Sequence, residues 1–249
     1  MSGTAEKVAW CKIAAAADLH RGPTGQHHAR SHVREESSDG ESTVFVSPGR
    51  VPIVAHLLCA TLVAFGAVAA AEIPPTADLP AIFNGTDLAG WKVVGAPYWK
   101  VVDGAIVGES DAEKKPSMLY TDKPYGDVIV EGEVRFTGEI DSGIMMRKPE
   151  VQVQIGVSRS LKKDMTCSFY TGTYPEEAQA PKAAELLKPG EWNRIRVEAK
   201  GDTFTVWLNG QQVSQYTSDK YAEPGPIGLQ IHANLVMKVE FRDLRAKPL

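Results

Sequence analysis

The stretch WNRIRVEAK (192–200), Gly201-Asp202, TFTVWL (203–208), Asn209-Gly210 and QQVSQY (211–216) decides the fold. Apolar and polar side chains alternate along it with a period of two, the pattern of half-buried strands. Asn-Gly is the preferred dipeptide of a type I′ hairpin, because both central residues need a positive φ. The segment therefore predicts a three-stranded antiparallel meander. The same period recurs upstream. Val128, Val130, Gly132 and Val134 alternate with Ile129, Glu131, Glu133 and Arg135. Ile144 and Met146 alternate with Met145 and Arg147, and Val151, Val153 and Ile155 with Gln152 and Gln154. IGLQIH (227–232) and MKVEFRDLRA (237–246) close the chain.

Helical patterning is confined to PEEAQAPKAAELLKPG (175–190), where Pro181 leaves room for at most one or two turns. Asp103-Gly104 and Asp141-Ser142-Gly143 read as turns. Many short strands with such connections predict an all-β fold of two packed antiparallel sheets, each burying one face and leaving the other to water. One outer face is expected to gather Glu131, Glu133, Arg135, Arg147, Gln152, Gln154, Gln230 and His232, on the concave side if the sheet curves.

The first 71 residues differ in kind. Residues 1–50 are polar and aperiodic, and RGPTGQHHARSHVREESSDGEST holds too little apolar surface to offset its ordering entropy, so a disordered tail is expected. His20, His27, His28 and His32 read as part of that tail rather than as a metal site. VPIVAHLLCATLVAFGAVAAAE, from Val51, follows Arg50 with an apolar run and an Ala-rich exit, the plan of a signal peptide cleaved near Ala69–Ala71. Its depth in the chain suggests a start codon near Val51, and the product is expected to be secreted or periplasmic, free of the membrane after cleavage.

Cleavage removes as many Lys and Arg as Asp and Glu, so the net charge stays at −4. The charge is spread, without the basic patch of a nucleic-acid binder or a polybasic membrane anchor. His232 becomes the only histidine and Cys167 the only cysteine, which excludes an intrachain disulfide. The domain over 78–249 must be held by its hydrophobic core. Cys167 is a poor candidate nucleophile, being a lone cysteine without a neighbouring histidine.

Five ordered motifs carry a resemblance. AIFNGTDLAGW (81–91), YGDVIVEGEVRF (125–136), DSGIMMRKPEVQVQIG (141–156), KPGEWNRIRVEAKGDTFTVWLNGQQV (188–213) and GPIGLQIHANLVMKVEFRDLRAKPL (225–249) together resemble the 3-keto-disaccharide hydrolase domain family across essentially all of residues 78–249. The resemblance implies a concanavalin- or laminin-G-like jelly roll, and hydrolysis or eliminative cleavage of glycosides oxidised at C3. Two positions depart from the family pattern. Gln152 stands where Glu is frequent, and Ile231 replaces the Asp of a usual Leu-Gln-Asp-His-Gly.

A C3 ketone acidifies the hydrogen on C2. A base removes it, the C1 substituent leaves, and water can add across the enone. Such a site needs a base titrating near neutrality and a stabiliser for the enolate oxygen. His232 suits the first role and Arg147 the second. Glu133 or Glu131 would orient His232 or protonate the leaving oxygen, while Gln152, Gln154 and Gln230 would bind hydroxyls. Glu131, Glu133 and Arg135 also fit a solvated strand face of cross-strand charge pairs. Trp99 and Trp207 are candidates for stacking on sugar faces, with Trp91 and Trp192 assigned to the core. One histidine and a few carboxylates could hold a hard divalent cation, but no spaced ligand motif names one. The chemistry would require a sugar 3-oxidoreductase upstream. A non-catalytic carbohydrate-binding module on the same sandwich is the alternative.

Overall fold

The computed structural model describes residues 76–249. The tail and the apolar segment lie outside those residues.

The meander forms as its sequence predicts. Strands β10 (Asn193–Lys200), β11 (Thr203–Leu208) and β12 (Gln211–Thr217) are antiparallel neighbours. Asn209 (φ 49°) and Gly210 (φ 90°) make the turn between the last two. Asp103 (φ 49°) and Gly104 (φ 77°) repeat that geometry between β2 (Trp99–Val102) and β3 (Ala105–Glu109). With β5 (Val128–Phe136) and β14 (Lys238–Pro248) these strands form one sheet, in the order β12-β11-β10-β5-β14-β3-β2.

The second sheet runs β1 (Trp91–Gly95), β4 (Ser117–Tyr125), β13 (Gly225–Ile231), β6 (Asp141–Met146), β7 (Val151–Ser158) and β8 (Lys163–Asp164). The short β9 (Phe169–Tyr170) pairs beside β8 on β7. Asp141, Ser142 and Gly143, expected as a turn, instead open β6 and are buried. Their pairing with Gly156, Ile155 and Gln154 satisfies the ladder, and tertiary pairing overrides local turn preference. Residues 175–190 hold one 3-10 turn (Glu176–Ala178) and one helical turn, α1 (Ala183–Leu186).

The inward faces supply the core. Leu119, Ile144, Val153, Ile155, Leu229 and Ile231 from one sheet meet Ile106, Val130, Val197, Phe204, Val206 and Phe241 from the other. Phe169 packs edge-on against Phe204, with ring centroids 6.1 Å apart. The family's missing acid at Ile231 thus has a packing counterpart, because this side chain is fully buried, pointing inward as its alternation with Gln230 requires. Trp91 is buried as expected, its indole N–H donating to the Ile82 carbonyl at 2.9 Å.

Trp99 and Trp192 both depart from the roles read from sequence. Trp99 is buried at 7% exposure and donates to Ser117 Oγ at 2.9 Å, so it offers no face to a sugar. Trp192 is half-buried on the outside, with the guanidinium carbons of Arg135 and Arg242 at 4.4 and 4.1 Å from its ring centre. A side chain just before a strand escapes its alternation, and two cations cover the ring more readily than the core does.

Candidate functional site

Alternation identifies the polar face of a strand but not the sheet to which that strand belongs. The expected single polar face is accordingly divided between the two sheets. Gln152 and Gln154 (β7), Gln230 (β13) and His232 belong to the outer face of the sheet containing β6. Glu131, Glu133 and Arg135 (β5) lie on the outer face of the opposite sheet.

Gln152, at 6% exposure, organises the first face. Its Nε2 donates to Gln154 Oε1 at 2.7 Å, to Gln230 Oε1 at 3.1 Å and to the Ser142 carbonyl at 3.3 Å. Gln154 Nε2 donates in turn to Asp141 Oδ1 at 2.9 Å, and the Arg159 N–H fills Asp141 Oδ2 at 3.2 Å. Among the described residues nothing takes the Nε2 of Gln230 or the Oε1 of Gln152. The patch therefore presents one amide donor and one amide acceptor outward from a tied base.

Glycines make the floor shallow. A Cβ on Gly143 would meet the Gln152 side chain at 2.5–2.8 Å, and one on Gly228 would meet the Tyr120 ring at 2.6–2.8 Å. Gln152 and Tyr120 lie in the space those missing side chains leave. Tyr170 stands beside Gln152 in register, and its ring centre is 5.0 Å from that of Tyr174. Burial, then the nearby charge of Asp141, pushes both phenols up. At the rim, burial raises the Glu150 carboxyl against an opposing hydrogen bond from Tyr120.

His232 follows β13 directly and is half-buried. Its backbone N–H donates to the Asp141 carbonyl at 3.3 Å, which continues the β13–β6 ladder. Its Nδ1 lies 2.8 Å from the Ala233 carbonyl. A carbonyl oxygen only accepts, so Nδ1 carries the proton and the neutral ring keeps its lone pair on Nε2.

Arg147 does not join this group. At φ 67° it leaves the strand path, and only 3% of its side chain is exposed. Its Nη1 donates to the Ala222 carbonyl at 3.1 Å and its Nη2 to Asp127 Oδ1 at 2.8 Å, with the guanidinium carbon 5.8 Å from the Phe204 ring centre. The Gly201 N–H on the opposite sheet also donates to Asp127, so Arg147 clasps one end of the sandwich. A left-handed backbone at a non-glycine residue carries no signal in strand alternation.

Glu133 is likewise unsuited to the acid role. Burial works against its charge, but Arg242 at 2.7 Å and Arg194 at 3.3 Å outweigh it and hold the carboxyl below its usual range. Glu131, 2% exposed, is paired with Arg196 at 2.6 Å. Trp207 sits opposite Arg196 in register, half-buried on that same face. Cys167 is wholly buried, and burial pushes its thiol up, away from the reactive thiolate. Among the described residues no three His, Cys, Asp or Glu side chains gather as cation ligands. Sequence reasoning missed Tyr120, Asp141, Glu150, Tyr170 and Tyr174. Tyrosines in strands read as ordinary β-formers, and Asp141 read as a turn.

Two antiparallel seven-stranded sheets packed face to face, with an amide and tyrosine patch on one outer face, define a jelly-roll sandwich. The chain belongs to the 3-keto-alpha-glucoside-1,2-lyase-like domain family, whose pattern it matches over residues 79–247. Its fold is similar to that of a Parabacteroides distasonis protein assigned to the glycosyl hydrolases, at 23% identity and TM-score 0.51, over 67% of this chain and 92% of that one. It is also similar to a structure described with the endo-acting O-glycanases of the human gut microbiota, at 12% identity and TM-score 0.52, over 70% and 98% of the two chains. Both likenesses concern the fold. No curated protein matches the chain.

Proposed function

We propose that this domain cleaves the glycosidic bond of 3-keto-glycosides by proton abstraction at C2, with His232 as the base. The observation that carries the reading is the bond from His232 Nδ1 to the Ala233 carbonyl, which leaves Nε2 as a free base beside the amide patch of a family member. Gln230 Nε2 takes the oxyanion role expected of Arg147 and donates to the enolate oxygen at C3. Loss of the C2 proton to His232 builds the enolate. Its collapse forms the C1–C2 double bond and expels the C1 oxygen. The His232 imidazolium then returns its proton to that oxygen, so one residue serves as base and acid. Water added at C1 of the enone completes hydrolysis, and release of the enone is the lyase outcome. Gln152 Oε1 accepts from a sugar hydroxyl. The ketone would be supplied by a sugar 3-oxidoreductase.

The test is turnover of a 3-keto-glucoside by the full chain and by His232→Ala, with and without chelator. General-base chemistry predicts a loss of about 100-fold or more, and undiminished turnover overturns the role. A second reading, a carbohydrate-binding module, is favoured by the closed Gln152–Gln154–Asp141 network, which leaves no carboxylate oxygen free. Binding of plain glycans without turnover of keto-glycosides would support it. We also propose export after cleavage near Ala69–Ala71. Exported protein whose first residue is Glu72 or a neighbour supports this, and one that retains residues 1–50 overturns it.

A further inference from the structure

The arginines of this domain are paired, with one exception. Arg135, Arg147, Arg194, Arg196, Arg242 and Arg245 each face a carboxylate within 3.3 Å. Arg159 is exposed and has no ion-pair partner among the described residues. It stands at the end of the sheet that carries His232. The Arg159 backbone N–H donates to Asp141 Oδ2 at 3.2 Å, and the Asp141 carbonyl accepts the His232 N–H at 3.3 Å. Strands β7, β6 and β13 are consecutive in the sheet and neighbouring strands lie about 4.8 Å apart, so Arg159, just past β7, is two strands from His232. Asp141 is buried, and each of its carboxylate oxygens already takes a bond, from Gln154 and from the Arg159 backbone. It fixes the backbone of Arg159 and leaves the guanidinium unclaimed.

The turn that follows is tied at its base and presents charge at its tip. The Lys162 N–H donates to the Ser158 carbonyl at 2.7 Å, the Leu161 N–H donates to Ser158 Oγ at 3.4 Å, and the Ser158 and Ser160 hydroxyls bond at 3.0 Å. The chain then returns as β8, where Lys163 and Asp164 pair with Ser158 and Val157. Asp164 is turned back into the chain, accepting the Thr166 N–H at 2.8 Å. Arg159, Lys162 and Lys163 are exposed, and none of them forms an ion pair among the described residues. The turn therefore sets three cations against one acid, in a chain whose net charge is −4. Such a local reversal of sign concentrates positive potential at the edge of the amide patch. Leu161, 51% exposed between the cations, adds an apolar contact.

We infer that the 159–163 turn selects glycosides whose C1 substituent carries an anionic group, a carboxylate or a sulfate ester. The planar fork of Arg159 donates two parallel bonds to the oxygens of such a group, while Lys162 and Lys163 draw it in and Leu161 meets its apolar body. The inference rests on the role proposed for His232. That residue returns its proton to the C1 oxygen, so the substituent on C1 begins at His232, and Arg159 stands two strands further along the same sheet end. Arg159 acts on specificity and not on the chemical step.

The test measures KM on the full chain for three 3-keto-glucosides that differ in one group of the aglycone, 4-carboxyphenyl, 4-sulfooxyphenyl and the neutral 4-carbamoylphenyl. Arg159→Ala is expected to raise KM for an anionic glycoside about ten-fold relative to KM for the amide. Arg159→Lys should recover part of that ratio, and added salt should erode the wild-type preference. A ratio that moves for the carboxylate alone, or for the sulfate alone, identifies the anion. Equal KM changes for all three glycosides, or none for any, overturn the inference. If the wild type turns over none of them, the catalytic reading fails separately. The turn is then read by NMR titration with 4-carboxyphenyl, 4-sulfooxyphenyl and 4-carbamoylphenyl glucoside. An Arg159 Nε–H resonance that shifts with either anion and not with the amide supports the anion site, and equal shifts or none refute it.

Discussion

The two outer faces of this sandwich are built from the same alternating strands and reach opposite chemical ends. The face around β5 is a ladder of charges closed on itself. Glu131 is gripped by Arg196 and Arg194, Glu133 by Arg242 and Arg194, and Glu240 by Arg135, and Trp192 lies between two guanidinium groups. The face around β7 carries amides and phenols, and its buried carboxylate, Asp141, is fixed by an amide and a backbone N–H. A carboxylate saturated by arginines is a poor proton carrier, because every bond favours its charged form. An amide patch beside a half-buried histidine keeps donors and acceptors available. The paired ionisable groups therefore mark a face closed on itself, and the proposed chemistry falls to the face that has few of them.

The sharpest way to break this comparison is to remove one group from each face. His232→Ala should cost about 100-fold or more in turnover of a 3-keto-glucoside with little change in melting temperature. Glu131→Ala should do the reverse. It strands Arg196, whose Nη1 and Nη2 already lack partners among the described residues, in a site where both side chains are at most 3% exposed. Breaking a buried pair costs about 3–5 kcal/mol, which chemical denaturation would read, while kcat of the surviving folded protein should hold. Loss of turnover in a folded Glu131→Ala would return the charged face to the reaction.

Much of this contrast is legible in the sequence, and its gaps have physical causes. Strand positions and the Asn209-Gly210 and Asp103-Gly104 turns follow from local chemistry, since period-two burial and positive φ are imposed residue by residue. The partition of polar residues between sheets is not local. Glu131 and Gln152 look alike as outward polar positions, and only the pairing of β5 with β10 and β14, and of β7 with β6, separates them. Arg147 escapes the pattern because one left-handed residue turns it inward. His232 is legible as an outward residue from its alternation with Ile231. The acceptor that fixes its tautomer, the Ala233 carbonyl, belongs to a loop without a period.

A smaller effect separates the faces by pH. Hydrogen bonds from Arg135 to Glu240 hold that carboxyl below its usual value, and arginines do the same for Glu133 against the cost of burial. Carboxyls depressed in the folded state contribute stability that is fully present above the unfolded value, here 4.5, and is lost as pH falls through the folded one. The melting temperature should therefore be flat from pH 7 to about 5 and decline below. Glu133→Gln should flatten that acid limb, whereas Gln152→Ala should leave its shape unchanged. An acid limb insensitive to Glu133→Gln would show that the ladder is not what titrates.

The mildest perturbation tests the amide patch itself. A methyl group on Gly143 would stand 2.5 Å from Gln152 Nε2 and 2.7 Å from Gln152 Cγ. The obstacle is a side chain rather than backbone, so the strand can stay while the whole Gln152 side chain, from Cγ outward, moves aside. Gly156 provides the contrast, because at φ 88° a methyl group there would run into the Ile140 carbonyl oxygen, and backbone cannot yield so easily. Gly143→Ala should therefore cost about 1–3 kcal/mol of stability, the sum expected for breaking the bonds from Gln152 to Gln154 and Gln230. If those bonds hold the Gln230 donor in place, KM for a 3-keto-glucoside should rise a few-fold, with kcat falling in step as the enolate loses its partner. Unchanged kinetics in a variant whose Gln152 amide resonances have shifted would mean that Gln230 is positioned without Gln152, and that the closed amide network belongs to the fold rather than to the site.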